Sequence, residues 1–132
     1  MANKRRIIVL DDDEGIRKIV SRTLSSRGFE VVTVATGEEV LEKIRNGEVF
    51  DCAILDVTNY GGMGAVLTKK ELQILAPDLS QKVIVMSDGT HSEVREPGRF
   101  GYAGALEKPF SPQQLLDVLN SVLSKEDKKT KE

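Results

Sequence analysis

Cysteine is almost absent from this chain. Cys52 stands alone, so no internal disulfide can form and no zinc site can be built on several thiolates; a reducing compartment fits. Long apolar runs are missing as well, and no stretch approaches the roughly 20 residues of a membrane-crossing helix. Met1 to Arg6 has the basic start of a secretory signal, but only Ile7 to Leu10 follows before three aspartates, which is too short an apolar region. Surplus charge of one sign is also lacking. Nineteen Lys and Arg against 21 Asp and Glu leave a net −2, which offers no general attraction to nucleic acid or anionic membranes. A cytoplasmic location is expected.

What is present suits one domain. The chain has 132 residues, 39% of them hydrophobic, enough for a single core and too many for wholesale disorder. Ile7 to Leu10 is short, β-branched and continuous, the pattern of a strand buried on both faces. Ile16, Ile19, Val20 and Leu24 then recur at helical spacing, and Gly28 stops that helix. Val31 to Val34 reads as a second strand. Thr36 with Glu39 forms a capping box for a helix carrying Val40, Leu41 and Ile44. Ala53 to Val57 is the third strand, and a helix with Leu67, Leu72 and Leu75 closes before Pro77. Val83 to Met86 is the fourth. A short helix is expected between Thr90 and Phe100, broken at Pro97-Gly98. Ala103 to Leu106 is the fifth strand. Ser111, Pro112 and Gln114 open the last helix, whose apolar face runs from Leu115 to Leu123.

Five strands alternating with five helices predict an α/β fold, a doubly wound parallel sheet covered on both faces. Residues 1–124 form the expected domain, and the charged tail 125–132 is expected to be disordered. Such sheets place their sites at the C-terminal ends of the strands. Asp11-Asp12-Asp13, Asp56, Ser87 and Lys108-Pro109 all fall there. Carboxylates gathered on one edge repel unless a cation neutralises them. A hard divalent ion such as Mg²⁺ does so with oxygen ligands, and a hydroxyl and an ammonium beside it suit an incoming phosphoryl group.

The set Leu10-Asp11-Asp12, Ile16-Arg17, Asp56, Ser87 and Lys108-Pro109-Phe110 closely resembles a response-regulator receiver domain of two-component signalling, over about residues 4–123. The resemblance implies a flavodoxin-like sheet in the order 2-1-3-4-5. It implies that Asp56 is the phosphoacceptor and attacks the phosphorus of a kinase phosphohistidine. Asp12 would hold Mg²⁺ directly, Asp11 would assist through water, and the Thr58 carbonyl would be a further metal ligand beside Asp56. Lys108 would pair with the acceptor and then with the phosphoryl group, and Ser87 would hydrogen-bond a phosphoryl oxygen. The implied partners are a sensor histidine kinase or a histidine phosphotransfer protein, and a downstream protein, with no direct nucleic-acid or membrane contact. The chain is then a signalling phosphoacceptor and not an enzyme.

Other readings stand beside these. Asp12 or Asp13 can cap the first helix, and Asp13 and Glu14 suit the positive end of its dipole. Cys52 reads as a small core residue and His91 as a surface histidine. Asp88 after Ser87 either repels an incoming anion or caps the short helix that follows. Where many receivers carry Met-Pro, this chain has Asn59-Tyr60, followed by Gly61-Gly-Met-Gly64. Where many carry an aromatic three residues before the lysine, it has Ala105. Both departures are similar to receivers of hybrid histidine kinases. Nothing in the sequence after the last helix resembles an output domain, so a stand-alone receiver and an excised one remain open. A pseudo-receiver that is never phosphorylated is weakened by the complete acidic set. A small aspartate-nucleophile phosphatase is weakened by Thr58, where a second acid is usual.

Overall fold

The computed structural model describes residues 4–57 and 63–131, from Lys125 on by backbone alone. The elements are β1 (Arg6–Leu10), α1 (Glu14–Ser25), β2 (Glu30–Val34), α2 (Gly37–Arg45), β3 (Cys52–Asp56), α3 (Ala65–Leu75), α4 (Pro77–Ser80), β4 (Val83–Ser87), α5 (Ser92–Arg95), a 3₁₀ turn (Pro97–Phe100), β5 (Gly104–Glu107) and α6 (Pro112–Lys131). The five strands form one sheet in the order β2-β1-β3-β4-β5, and every pairing is parallel.

The alternation of side chains along the central strands divides the interior in two. Ile8, Leu10, Ala53, Leu55, Val83 and Val85 face one way, against Val40 and Leu41 of α2, Leu72 of α3, Leu79 of α4 and Val94 of α5. Ile7, Val9, Cys52, Ile54, Ile84 and Met86 face the other, against Val20 and Leu24 of α1 and the Leu115–Leu123 face of α6. Every residue of β3 and β4 is buried, which explains why these strands read as unbroken apolar runs. Cys52 is one of these core residues, as expected. Truncating a fully buried leucine such as Leu119 to alanine costs about 2–5 kcal/mol at sites of this kind.

The caps form largely as expected. Asp13 accepts from the amides of Gly15 and Ile16 at 2.8 and 3.3 Å, so Asp13 and not Asp12 starts α1. Ser111 and Gln114 make a reciprocal box, with Ser111 N–H on Gln114 Oε1 (2.8 Å) and Gln114 N–H on Ser111 Oγ (3.1 Å). The box at Thr36 is only half made. Thr36 Oγ1 accepts from Glu39 N–H, but the Glu39 carboxylate accepts from the Thr36 hydroxyl in place of the Thr36 amide. Gly28, at φ +90°, supplies the left-handed turn from α1 into β2.

Two expectations need correction. Six α-helices stand among the described residues where five were expected, because Pro77 closes α3 and also opens a single turn of its own, α4. Proline cannot donate to α3, yet its fixed φ suits a first helical position. The backbone of α6 continues to Lys131. Lys and Glu are good helix formers and no Gly or Pro intervenes, so a helix nucleated on the core extends at little cost. Second, Asp88 caps no helix. Its carboxylate accepts from the amide and hydroxyl of Thr90, and α5 begins after His91 without a side-chain cap.

Arg6 secures the opposite end of the sheet. Its guanidinium meets Glu30 at 2.6 Å and Glu48 at 3.0 Å, donates to the Val49 carbonyl at 3.0 Å, and covers the Phe50 ring. No sequence pattern pointed to it, since its partners lie 24 to 43 residues away.

Candidate functional site

Parallel strands bring their C-terminal ends to one edge. Asp11 directly follows β1, Asp56 ends β3, Ser87 ends β4, and Lys108 directly follows β5. The ladder continues past the strands and fixes this edge: Asp11 N–H donates to Val34 O (3.2 Å), Val57 N–H to Met86 O (2.9 Å) and Lys108 N–H to Ser87 O (2.8 Å). Asp11 is fully buried, Asp56 and Ser87 almost so, and Asp12 is exposed.

Asp11, Asp12 and Asp56 each offer a carboxylate oxygen, all within 4.8 Å of one another. The Lys108 ammonium enters from β5, 2.7 Å from Asp11 Oδ2 and 3.6 Å from Asp56 Oδ1. Burial opposes charge on Lys108 and is the largest single influence on it. The two carboxylates together outweigh that burial and raise its pKa above the ordinary lysine value. The other oxygen of Asp11 accepts the Asp13 amide at 2.9 Å, and Arg17 donates to the Asp11 main-chain carbonyl at 2.7 Å. These two contacts hold the turn that presents Asp11 and Asp12.

Three carboxylates around one ammonium leave the pocket short of positive charge. The donor set is all oxygen, which suits a hard cation. Two oxygens on one Mg²⁺ at about 2.1 Å lie at most about 4.2 Å apart, so the three acids need only small side-chain adjustments to share it. Asp11 Oδ2 is enclosed, and the Lys108 ammonium at 2.7 Å is its counter-charge. Thr58, expected as a carbonyl ligand, lies outside the described residues, as do Asn59 and Tyr60.

The sequence therefore led to Asp11, Asp12, Asp56, Ser87 and Lys108, and the fold brings all five to the same edge. It did not lead to Asp13 and Arg17 as supports of Asp11, although Arg17 sat inside the motif. Tyr102 is buried beneath Lys69, whose ammonium lies 5.6 Å from the ring centre, and Ala105 is partly buried against the same core.

The fold and the acidic edge are those of a response-regulator receiver domain. The sequence profile of the response regulator receiver domain matches residues 7–120, and the chain belongs to that family. A probable transcriptional regulator, ycf27, of Pyropia yezoensis is 32% identical over 96% of this chain and 51% of its own length. The Cyanophora paradoxa ycf27 regulator is 29% identical over 97% of this chain and 52% of its own. The chain thus spans about half the length of these curated relatives. Among solved structures, the chemotaxis response regulator CheY4 of Vibrio cholerae superposes with a TM-score of 0.79 at 31% identity, over 92% of this chain and all of that one. A receiver domain protein from Methanospirillum hungatei does so at 0.83 and 26% identity, over 96% and 99%. No helix among the described residues is long and apolar enough to cross a membrane.

Proposed function

We propose that this receiver is a working phosphoacceptor, with Asp56 as the nucleophile. The observation that carries the reading is the gathering of Asp11, Asp12 and Asp56 within 4.8 Å, with Lys108 in contact, at one edge of a receiver sheet. An Asp56 oxygen forms a bond to phosphorus as the P–N bond of a donor phosphohistidine breaks, and the imidazole leaves with the electron pair. Lys108 stays charged throughout and balances the phosphoryl oxygens, and the Ser87 hydroxyl donates to one of them. Mg²⁺ held by Asp11, Asp12 and Asp56, with the Thr58 carbonyl, would supply further neutralisation of the phosphoryl charge. Asp56 is consumed and restored by hydrolysis, so the chain is a signalling protein and not an enzyme.

The partners follow from that chemistry. A histidine kinase or histidine phosphotransfer protein delivers the phosphoryl group in the cytoplasm, and a further protein reads the modified surface. The residue types of Gly61 to Gly64 and Ala105 support a likeness to the receivers of hybrid histidine kinases. With Ala105 unable to flip, the response passes through the backbone after Ser87 into α5 and β5.

The test is labelling with Mg²⁺ and a small phosphodonor. The parent chain should gain about 80 Da, labile to hydroxylamine, and Asp56→Asn should gain nothing while keeping its fold. Equal labelling of both would overturn the assignment of Asp56.

A further inference from the structure

The helices that cover the sheet differ in what they show to solvent. The exposed residues of α2 are all charged: Glu38, Glu39, Glu42 and Arg45. α3 is the reverse. Of the seven large apolar side chains exposed among the described residues, four belong to its 11 residues: Val66, Leu67, Ile74 and Leu75. Ile74 is 75% exposed, Leu67 56% and Val66 52%. A surface helix is ordinarily polar on the side away from the core, and apolar residues gathered there mark a contact surface.

The pattern along that face is ordered. At about 100° per residue, Leu67 and Ile74 stand two turns apart and nearly in line, about 20° from each other. They lie opposite the buried Ala65, Thr68, Lys69 and Leu72. Lys70 and Glu71 flank the line at about 50° on either side, and Val66 and Leu75 border it at about 90°. Lys70 is exposed and Glu71 half-buried, and neither makes an ion pair among the described residues. The seam is therefore apolar along its middle and carries opposite charges on its two sides.

Such a seam complements itself. A two-fold axis parallel to α3 turns each flank onto the opposite flank of a second copy. Leu67 and Ile74 then meet their own counterparts, and Lys70 of each chain reaches Glu71 of the other. An antiparallel pairing sets lysine against lysine and glutamate against glutamate.

We propose that the outer face of α3 is a self-association surface, covered by α3 of a second copy of this chain in parallel register. Eleven residues of helix span only about 16 Å, so the contact falls short of the roughly 800 Å² per partner of a stable complex. The dimer is accordingly weak, with a dissociation constant on the order of 100 μM.

Sedimentation equilibrium of the full chain from about 10 μM to about 1 mM brackets that value. The parent should pass from monomer to dimer over this range. Ile74→Lys replaces a side chain too exposed to support the fold, and should weaken association at least about tenfold. Lys70→Glu and Glu71→Lys each place like charges on both flanks. Each should weaken association about three- to tenfold at low salt, and less at high salt. Combining the two substitutions exchanges the signs and should return the dimer to within about twofold of the parent. The melting temperature of every variant, read on the same samples, should stay close to that of the parent. A parent that remains monomeric at about 1 mM would overturn the proposal and leave the face to a different protein. A dimer untouched by Ile74→Lys would overturn it too, since the contact would then lie elsewhere on the chain. Failure of the combined variant to recover would overturn the parallel register on which it rests.

Discussion

Lys108 lies nearer to Asp11 than to Asp56, 2.7 Å against 3.6 Å. Its ammonium therefore serves first as the counter-charge of a fully buried acid. Lys108→Ala should lower stability without Mg²⁺ by roughly 2 kcal/mol, below the 3–5 of a wholly enclosed pair because Lys108 keeps some solvent contact. The stabilisation gained on adding Mg²⁺ should then exceed that of the parent, since a cation replaces the missing charge. Chemical denaturation with and without Mg²⁺ measures both.

Mg²⁺ should raise the melting temperature of the parent chain, because only the folded state gathers Asp11, Asp12 and Asp56. At a hundred times its dissociation constant the gain is about 2.7 kcal/mol. Asp12→Ala should remove most of that gain and, Asp12 being exposed, should disturb the metal-free protein little. A thermal melt unmoved by millimolar Mg²⁺ would count against the shared site.

Burial, and then Glu93, lifts the Tyr102 phenol from near 10 to about 12. An acid that keeps its proton longer when folded contributes stability in full below pH 10. That contribution is lost as pH rises towards 12, at about 1.4 kcal/mol per unit. Lys108, also raised, acts in the same direction above 10.5. Comparison of Tyr102→Phe with the parent isolates the phenol: the variant should lose less stability over this range in urea titrations.

Asp88 stands directly after Ser87, exposed, with its carboxylate held below the ordinary range by Thr90 and, more weakly, by His91 and Lys108. It shares the influence of Lys108 with the phosphoryl site. Asp88→Ala should speed labelling by a small anionic donor about threefold at low salt, and less at high salt. An unchanged rate would make Asp88 a turn residue only.

The sheet and its site were legible for one reason. Buried parallel strands are written as apolar runs, and Asp11, Asp56, Ser87 and Lys108 sit at or just past the ends of four of them, where their location follows once the strands are found. Supports that act across the sequence were not legible. Glu38 reaches Met63 over 25 residues and Arg6 reaches Glu48 over 42, and neither contact has a local periodicity to betray it. The turn α4 was hidden for another reason: Pro77 was read as a stop, and it is also a start.

The arrangement of strands has a consequence for how the molecule opens. Asp11 and Asp56 extend from strands flanked by neighbours on both sides, the part of the sheet whose amides are released only on global unfolding. α5 is a single turn followed by a 3₁₀ turn at the border of the edge strand β5, held by few buried side chains. Sub-global opening there costs far less than opening at the acids. The receiver can therefore reshape its α5 surface many times within the lifetime of a pocket that stays assembled.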